Sequence, residues 1–263
     1  MISIILTIHN KSNLIEKIIN GLVSTVSNNV QEYIFVIDGC TDNSLEIVSR
    51  ISKTIKVKCI IIETANLYET RANNVGLKNA TQPYVVIIQD DMLLMEQNWD
   101  KRLLKPFLEF NDIFAITART SCRMNINGEW CNIIEGPVGC NYGKESKISR
   151  DYVYIDQVVN RGPLMFDNKK LEILGYFDET LPGVQGCDDC ILCLEAYIKY
   201  KWRCGCYWIG YYSPLEWGST RTGKNTAFLN NANILNEKEF LKRYYPIISS
   251  WNANETRFLK DIS

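Results

Sequence analysis

The sequence predicts an α/β fold with a mostly parallel central sheet, flanked by helices. Three observations predict it. Apolar runs of strand length alternate with helical patterns from Ile2 to Asp91, as βαβ units do. The runs are continuous rather than alternating, so both faces of each strand are to be covered, as in a parallel sheet. Polar residues gather where the runs end: His9-Asn10, Asp38, Glu63 and Asp90-Asp91. In open sheets of this class ligands bind beyond the carboxyl ends of the strands, so that edge is the expected site.

The elements follow in order. Ile2–Ile8 reads as a buried strand, and Ser12 is placed to cap a helix whose apolar positions Ile15, Ile18, Ile19, Leu22 and Val23 fall near 3.6-residue spacing. Tyr33–Ile37 is the next strand, ending in Asp38-Gly39, and Thr41 or Asp42 opens a second helix through Arg50. Val57–Ile62 is a third strand, followed by a helix from about Glu69 to Ala80. Pro83 then introduces Tyr84–Ile88, which ends in Gln89-Asp90-Asp91. Beyond these, Trp99–Phe110 reads as helix and Ile113–Thr117 as strand. Arg119 to Arg161 is rich in Gly, Cys, Asn and Tyr without a clear period, and reads as loops and short strands, the material of a lid. Asp188–Tyr200 is helical and Trp202–Ile209 a strand. From Thr226 the chain is polar-aromatic and helical, with Pro246 as a break.

Bulk properties narrow the function classes. The chain has 263 residues, 46% of them hydrophobic, enough for one large α/β domain. A net charge of −1 gives no global pull toward nucleic acid or anionic lipid. Acidic substrates are then handled locally, by a metal or a few basic groups. No basic stretch precedes the first apolar run and no small-residue cleavage site follows it, so it reads as a strand and not a signal peptide. No window approaches the ~18 apolar residues of a spanning helix. A reducing cytoplasm is the expected compartment for the ten cysteines. No G-x-G-x-x-G follows any strand, which excludes a dehydrogenase, and no glycine lies in His9–Ser12, which argues against a nucleotidyltransferase.

Asp90-Asp91 places two carboxylates side by side at a strand end, where they repel unless a cation or donor lies between them. Their oxygens suit Mg²⁺ or Mn²⁺; the other reading is a solvated turn with Asp91 as a helix cap. Asp38 is placed to accept a hydrogen bond from a base ring N–H, which uracil, thymine and guanine offer. A turn residue is the alternative, a part that Asp42 fits better. Cys187, Cys190 and Cys193, with Cys204 and Cys206, suggest a zinc or iron–sulfur set. A spacing of three instead makes one slowly drifting helix face, on which free cysteines pack as small hydrophobes, and no structural metal is expected there. Trp130, Tyr152, Tyr154, Trp208 and Trp217 read either as rings that stack on a ligand or as core.

Six segments in order resemble the family 2 glycosyltransferases. Ser3–Asn10 is similar to the family's opening "SIIIPTYN", Asp38–Ser44 to "DDGSTDNS", and Arg71–Gly76 to the "ARNxG" helix. Gln89-Asp90-Asp91 stands at the DXD-type motif, Leu174–Glu179 resembles "LGGFDE", and Gly186–Leu192 resembles "GYEDVDL". The resemblance implies a GT-A fold and a metal-dependent transfer, with inversion, from a nucleotide sugar (a UDP-sugar by family habit) to a glycan, lipid-linked glycan or other hydroxyl acceptor. It gives Asp189 the role of general base. Its place at a helix start is expected to lower its pKa. The resemblance gives Asp38 to the base and Asp91 with Asp90 to Mn²⁺ or Mg²⁺ and the diphosphate. His9, Arg71 and Asn74 join the nucleotide-sugar site by the same route.

Departures are that His9 replaces the family's Tyr, Ile37 replaces the first Asp of a pair, and Ile191 replaces the second acid of "EDVDL". The histidine that completes the metal shell in many relatives is missing, since His9 is the only one. Glu216 is the substitute ligand, or a surface carboxylate beside Trp217; Arg221 and Lys224 are candidates for the diphosphate. The expected division is residues 1–225 as the catalytic domain (1–118 for the nucleotide sugar, 119–225 for the acceptor) and 226–263 as a C-terminal helical extension. The chain is expected to act as a monomer or homodimer. A catalytically silent nucleotide-sugar- or glycan-binding domain is the alternative.

Overall fold

The computed structural model describes residues 1–124, 130–135, 150–156, 158–218, 226–248 and 258–262. The first half runs β1 (Ile2–Ile8), α1 (Ile15–Thr25), β2 (Val30–Asp38), α2 (Ser44–Ser52), β3 (Lys58–Thr64), α3 (Tyr68–Asn79) and β4 (Tyr84–Gln89). A short β5 (Leu93–Leu94), α4 (Trp99–Glu109) and β6 (Ile113–Thr117) follow. Next come β7 (Thr120–Met124), β8 (Trp130–Glu135), β9 (Tyr152–Asp156), β10 (Val158–Asn160), β11 (Leu164–Asp167) and α5 (Asn168–Leu174). The chain continues through α6 (Asp188–Tyr200), β12 (Arg203–Cys206), β13 (Tyr211–Tyr212), α7 (Thr226–Ile248) and β14 (Phe258–Asp261).

The nine-stranded central sheet has the order β14-β9-β12-β6-β11-β4-β1-β2-β3. β3, β2, β1 and β4 are mutually parallel, as the continuous apolar runs require. β11 enters antiparallel between β4 and β6, and β12 is again parallel to β6. Strand β1 shows why the sequence folds this way. Ile2, Ile4, Leu6 and Ile8 share one face with Ile15, Ile18, Ile19 and Leu22 of α1, while Ile5 points to the other face with Ala72 and Leu77 of α3. All the strand residues named are fully buried. Fully burying each such side chain is worth roughly 1.5–3 kcal/mol. Gly76 lets α3 lie directly on the sheet, because a Cβ there would fall 2.5 Å from Ile5 Cγ2.

Several local expectations change. Ser12 does not cap α1; its N–H donates to Asp42 Oδ2 at 2.8 Å, and Leu14 stands at the helix start. Asp42 also accepts from the Ser44 N–H at 3.0 Å, so it staples the two loops at the head of the sheet. α7 runs through Pro246 to Ile248, so the proline does not break the helix where the sequence suggests. β12 stops at Cys206, short of Ile209. The C-terminal segment is not helical throughout: β14 pairs antiparallel with β9 and adds an edge strand to the central sheet. Part of the expected lid, 125–129, 136–149 and 157, lies outside the described residues. Most of the rest forms short strands, with β10-β7-β8 as a separate three-stranded sheet. No helix among the described residues is long and apolar enough to cross a membrane.

Candidate active site

The parallel register puts the carboxyl ends of β1, β2 and β4 at one edge, with Ile8 beside Ile37 and Thr7 beside Gln89. His9 ties these ends together. Its backbone N–H donates to Asp90 Oδ2 at 2.9 Å, and its ring Nδ1 lies 2.6 Å from the Asp38 carbonyl oxygen. A carbonyl only accepts, so Nδ1 carries the proton and Nε2 accepts from Asn10 Nδ2 at 3.2 Å.

Asp38 is 3% exposed. Its Oδ1 accepts from Thr64 Oγ1 (2.8 Å) and the Leu67 N–H (2.6 Å), and its Oδ2 from the Tyr68 N–H (2.9 Å). The carboxylate thereby holds the β3–α3 loop in a tight fold in which Asn66 and Tyr68 take φ of 54° and 64°. Such left-handed conformations cost roughly 1–2 kcal/mol each for a side chain of this size. Gly39 (φ 58°) is needed for the same approach, since a Cβ there would meet Asn66 Cβ at 2.6 Å.

Asp90 and Asp91 follow β4. Lys11, 4% exposed, brings its ammonium 3.6 Å from Asp90 Oδ1 and donates to the Trp217 carbonyl. Burial pushes the Asp90 carboxyl up to about 6, with Lys11 opposing and Asp91 adding to the rise. Two hard-oxygen carboxylates in such an environment fit a divalent cation, whose charge would favour both ionised forms. The Lys11–Trp217 bond also brings the short helical turn Leu215–Trp217 to this edge, with Glu216 exposed on it. Among the described residues, no group of three His, Cys, Asp or Glu side chains is arranged to hold a metal ion. Arg221 and Lys224 lie outside the described residues.

α6 begins with Asp188 and Asp189, 1% and 8% exposed. Asp188 accepts from Thr70 Oγ1 at 2.7 Å and pairs with the Arg161 guanidinium. Asp189 accepts from the Arg161 N–H (2.6 Å) and the Cys190 N–H (2.9 Å). Burial, then the Asp188 charge, push the Asp189 carboxyl above the usual range against the pull of Arg161. This corrects the expected lowering: desolvation and a like charge outweigh the helix dipole here. The loop ahead of α6 is held as well. Asn236 of α7, fully buried, accepts from the Gly183 N–H at 2.6 Å and donates to the Gln185 and Gly186 carbonyls at 2.9 Å each.

The α3 candidates face the same wall. The Asn74 side chain, 1% exposed, bonds the Phe177 N–H and carbonyl and Glu179 Oε1 at 2.8–3.0 Å. Arg71 is exposed, with Nη2 3.4 Å from the Glu179 carbonyl. Cys190, Cys193, Cys204 and Cys206 are buried free thiols. Burial, then Cys204, hold the Cys193 thiol well above its usual range. Lys11, Glu69, Arg161 and Asn236 were not among the sequence candidates, because each is a single polar residue outside the six motif segments.

Residues 3–162 match the family model described as glycosyl transferase family 2. Among curated proteins, the chain is 29% identical over 115 residues to glycosyltransferase GlyA of Streptococcus pneumoniae (44% of this chain, 16% of that protein). It is 29% identical over 118 residues to chondroitin synthase of Pasteurella multocida (45% and 12%). The chain therefore spans less than a fifth of the length of either relative. Among solved structures, residues 1–349 of S. aureus TarS in complex with UDP-GlcNAc match with a TM-score of 0.59 at 17% identity, over 91% of this chain and 66% of that one. GalNAc-T7 with UDP, GalNAc and Mn²⁺ matches with a TM-score of 0.63 at 11% identity, over 96% and 58%. At such identities these two show the fold alone, and the fold is GT-A. With the family model covering well over half of its residues, this chain belongs to glycosyl transferase family 2.

Proposed function

We propose that the chain transfers a sugar from a UDP-sugar to a hydroxyl of a glycan or lipid-linked acceptor, with inversion at the anomeric carbon. The observation that carries this reading is the meeting, at one sheet edge, of Asp38, Asp90 and Asp91 from strand ends with the buried Asp188–Asp189 pair across α3. TarS has been seen with UDP-GlcNAc and GalNAc-T7 with UDP, GalNAc and Mn²⁺ on the same fold, which supports the choice of nucleotide and ion. In this reading Asp38 and His9 line the nucleoside end, and Asp38 acts there through the loop it holds as well as through its own oxygens. Asp91 and Asp90 hold Mn²⁺ or Mg²⁺, with Glu216 as a further oxygen donor. Arg71, Asn74 and Arg221 serve the donor, Asn74 by fixing the α3 wall. A bound divalent ion supplies charge neutralisation for the departing diphosphate. Asp189 accepts the proton of the attacking hydroxyl. Its raised proton affinity suits that role, and its backbone donors keep the carboxylate aimed.

The deciding experiment is a panel of UDP-, dTDP- and GDP-sugars, assayed with Mn²⁺ for thermal stabilisation and donor turnover. Stabilisation by UDP-sugars and loss of turnover in excess chelator are expected. Full activity in chelator would remove the metal from the scheme. Nucleotide binding with no turnover of any donor or acceptor would favour the silent binding domain. A product that retains the donor's anomeric configuration would refute single displacement.

A further inference from the structure

Arg161 follows β10, with 5% of its surface exposed, and is surrounded by three carboxylates from two helices. Its Nη1 lies 3.0 Å from Glu69 Oε1 on α3, its Nη2 pairs with Asp188 on α6, and its own N–H holds Asp189 Oδ2 at 2.6 Å. The guanidinium lies over the Phe177 ring, 4.7 Å from the centroid. The cluster reaches the metal-side strand: Gln89, at the end of β4, donates to Glu69 Oε1 at 2.8 Å. Thr70, next to Glu69, closes the ring by donating to Asp188. One side chain thus joins α3, α6 and the segment after β10 around the carboxylate assigned as proton acceptor.

We propose that Arg161 is a positioning residue, a clamp that fixes the α6 start against α3 and sets where, and in what charge state, Asp189 waits for its proton. The proposal rests on the reading of Asp189 as the base. The charged and titratable groups around Asp189 are Asp188 and Cys193 on its own helix, Arg161 after β10, Glu69 on α3, and Cys204 on β12 beside Cys193. Burial works against the Arg161 charge, but Asp188, Glu69 and Asp189 together keep the guanidinium more firmly protonated than usual. Arg161 is therefore a fixed positive charge across the working range, and it acts on Asp189 in the direction opposite to Asp188.

The two charges make opposite predictions, which a purely structural role does not. Asp189 is followed by NMR in protein labelled with ¹³C at the aspartate carboxyls, its signal identified by its loss in Asp189→Asn. Arg161→Gln should move the Asp189 midpoint upward by about one pH unit, because an attracting charge is removed. Asp188→Asn should move it downward, because a repelling charge is removed. Arg161→Lys keeps the charge and tests the clamp where Arg161→Gln does not fold; its midpoint should stay near wild type. In whichever UDP-sugar assay the wild type supports, the acidic limb of the pH–rate profile should move with these midpoints. Shifts of one sign in both Arg161→Gln and Asp188→Asn, or an unmoved midpoint in Asp188→Asn, would overturn the clamp. The NMR readout needs no substrate. Opposite shifts together with normal transfer by Asp189→Asn would instead overturn the base assignment and leave the clamp standing.

Discussion

Each Asp189 oxygen accepts from a backbone N–H, one from Arg161 and one from Cys190. An asparagine there would turn its NH₂ toward one of these donors, at a cost of about 1–2 kcal/mol, while relieving the burial of a charge. Asp189→Asn should thus stay folded, within about 2 kcal/mol of wild type by urea denaturation, while transfer falls by about 10²–10⁴. Near-normal transfer would exclude Asp189 as the base. Asp38 behaves differently, because its three bonds hold a strained loop. Asp38→Ala strands two backbone N–H groups and a hydroxyl and should cost about 2–4 kcal/mol, with weaker UDP binding by calorimetry. Unchanged stability together with unchanged UDP affinity would leave Asp38 without either part.

At the scale of elements, the approach to α6 is built by α7. Gly183 sits so close to α7 that a Cβ would fall 2.2 Å from the Ala232 carbonyl oxygen, and Asn236 takes up the loop's polar groups. Asn236→Ala should cost about 2–3 kcal/mol by stranding several buried groups. It should lower the transfer rate more than donor affinity, since it frees the loop that leads into Asp189. Loss of donor affinity with an unchanged rate would count against this coupling. At the far end of the sheet, Glu32 on β2 is fully buried and accepts from Ser3 (2.7 Å), Lys58 (2.6 Å) and the Thr81 N–H (3.0 Å). Burial raises its proton affinity, but Lys58, Ser3 and Thr81 together hold the carboxyl below its ordinary value of 4.5. A folded pKa below the unfolded one contributes stability that is complete above about 4.5 and lost as pH falls through the folded value. Glu32→Gln should therefore be less stable than wild type at neutral pH and lose less on acidification below about pH 5. Parallel pH–stability curves for the two proteins would refute the assignment.

At the scale of the whole molecule, the N-terminal parallel strands carry the nucleotide-side candidates, and the second half brings the acid pair to the same edge. UDP with Mn²⁺ should raise the melting temperature, since a ligand at a hundred times its dissociation constant stabilises by about 2.7 kcal/mol. Asp91→Asn should lose most of that rise. An equal rise in Asp91→Asn would show that UDP binds without this carboxylate. The first half was legible because its strands are continuous apolar runs, and burial on both faces leaves few other ways to satisfy Ile2–Ile8 or Tyr84–Ile88. Helix α6 was legible to the residue because Asp188–Tyr200 carries its apolar period and both acids at its start. Strand β14 was not legible, because its pairing with β9 joins segments about a hundred residues apart, a relation no local pattern encodes.

By itself the sequence determined the α/β class, the parallel first half, the sheet edge where the polar strand ends gather, and the family, through short segments that resemble its motifs. Those properties reside in apolar period and in motifs a few residues long. Only the tertiary structure decided how the acids are partnered. It tied Asp38 to the β3–α3 loop, put Lys11 beside Asp90, set Asn236 under the α6 approach and placed Arg161 among Glu69, Asp188 and Asp189. It also raised the Asp189 carboxyl where the helix start alone suggested lowering. The physical reason is that proton affinity and hydrogen-bond partnership depend on which distant segments exclude water around a group, and the chain order of those segments does not carry that information.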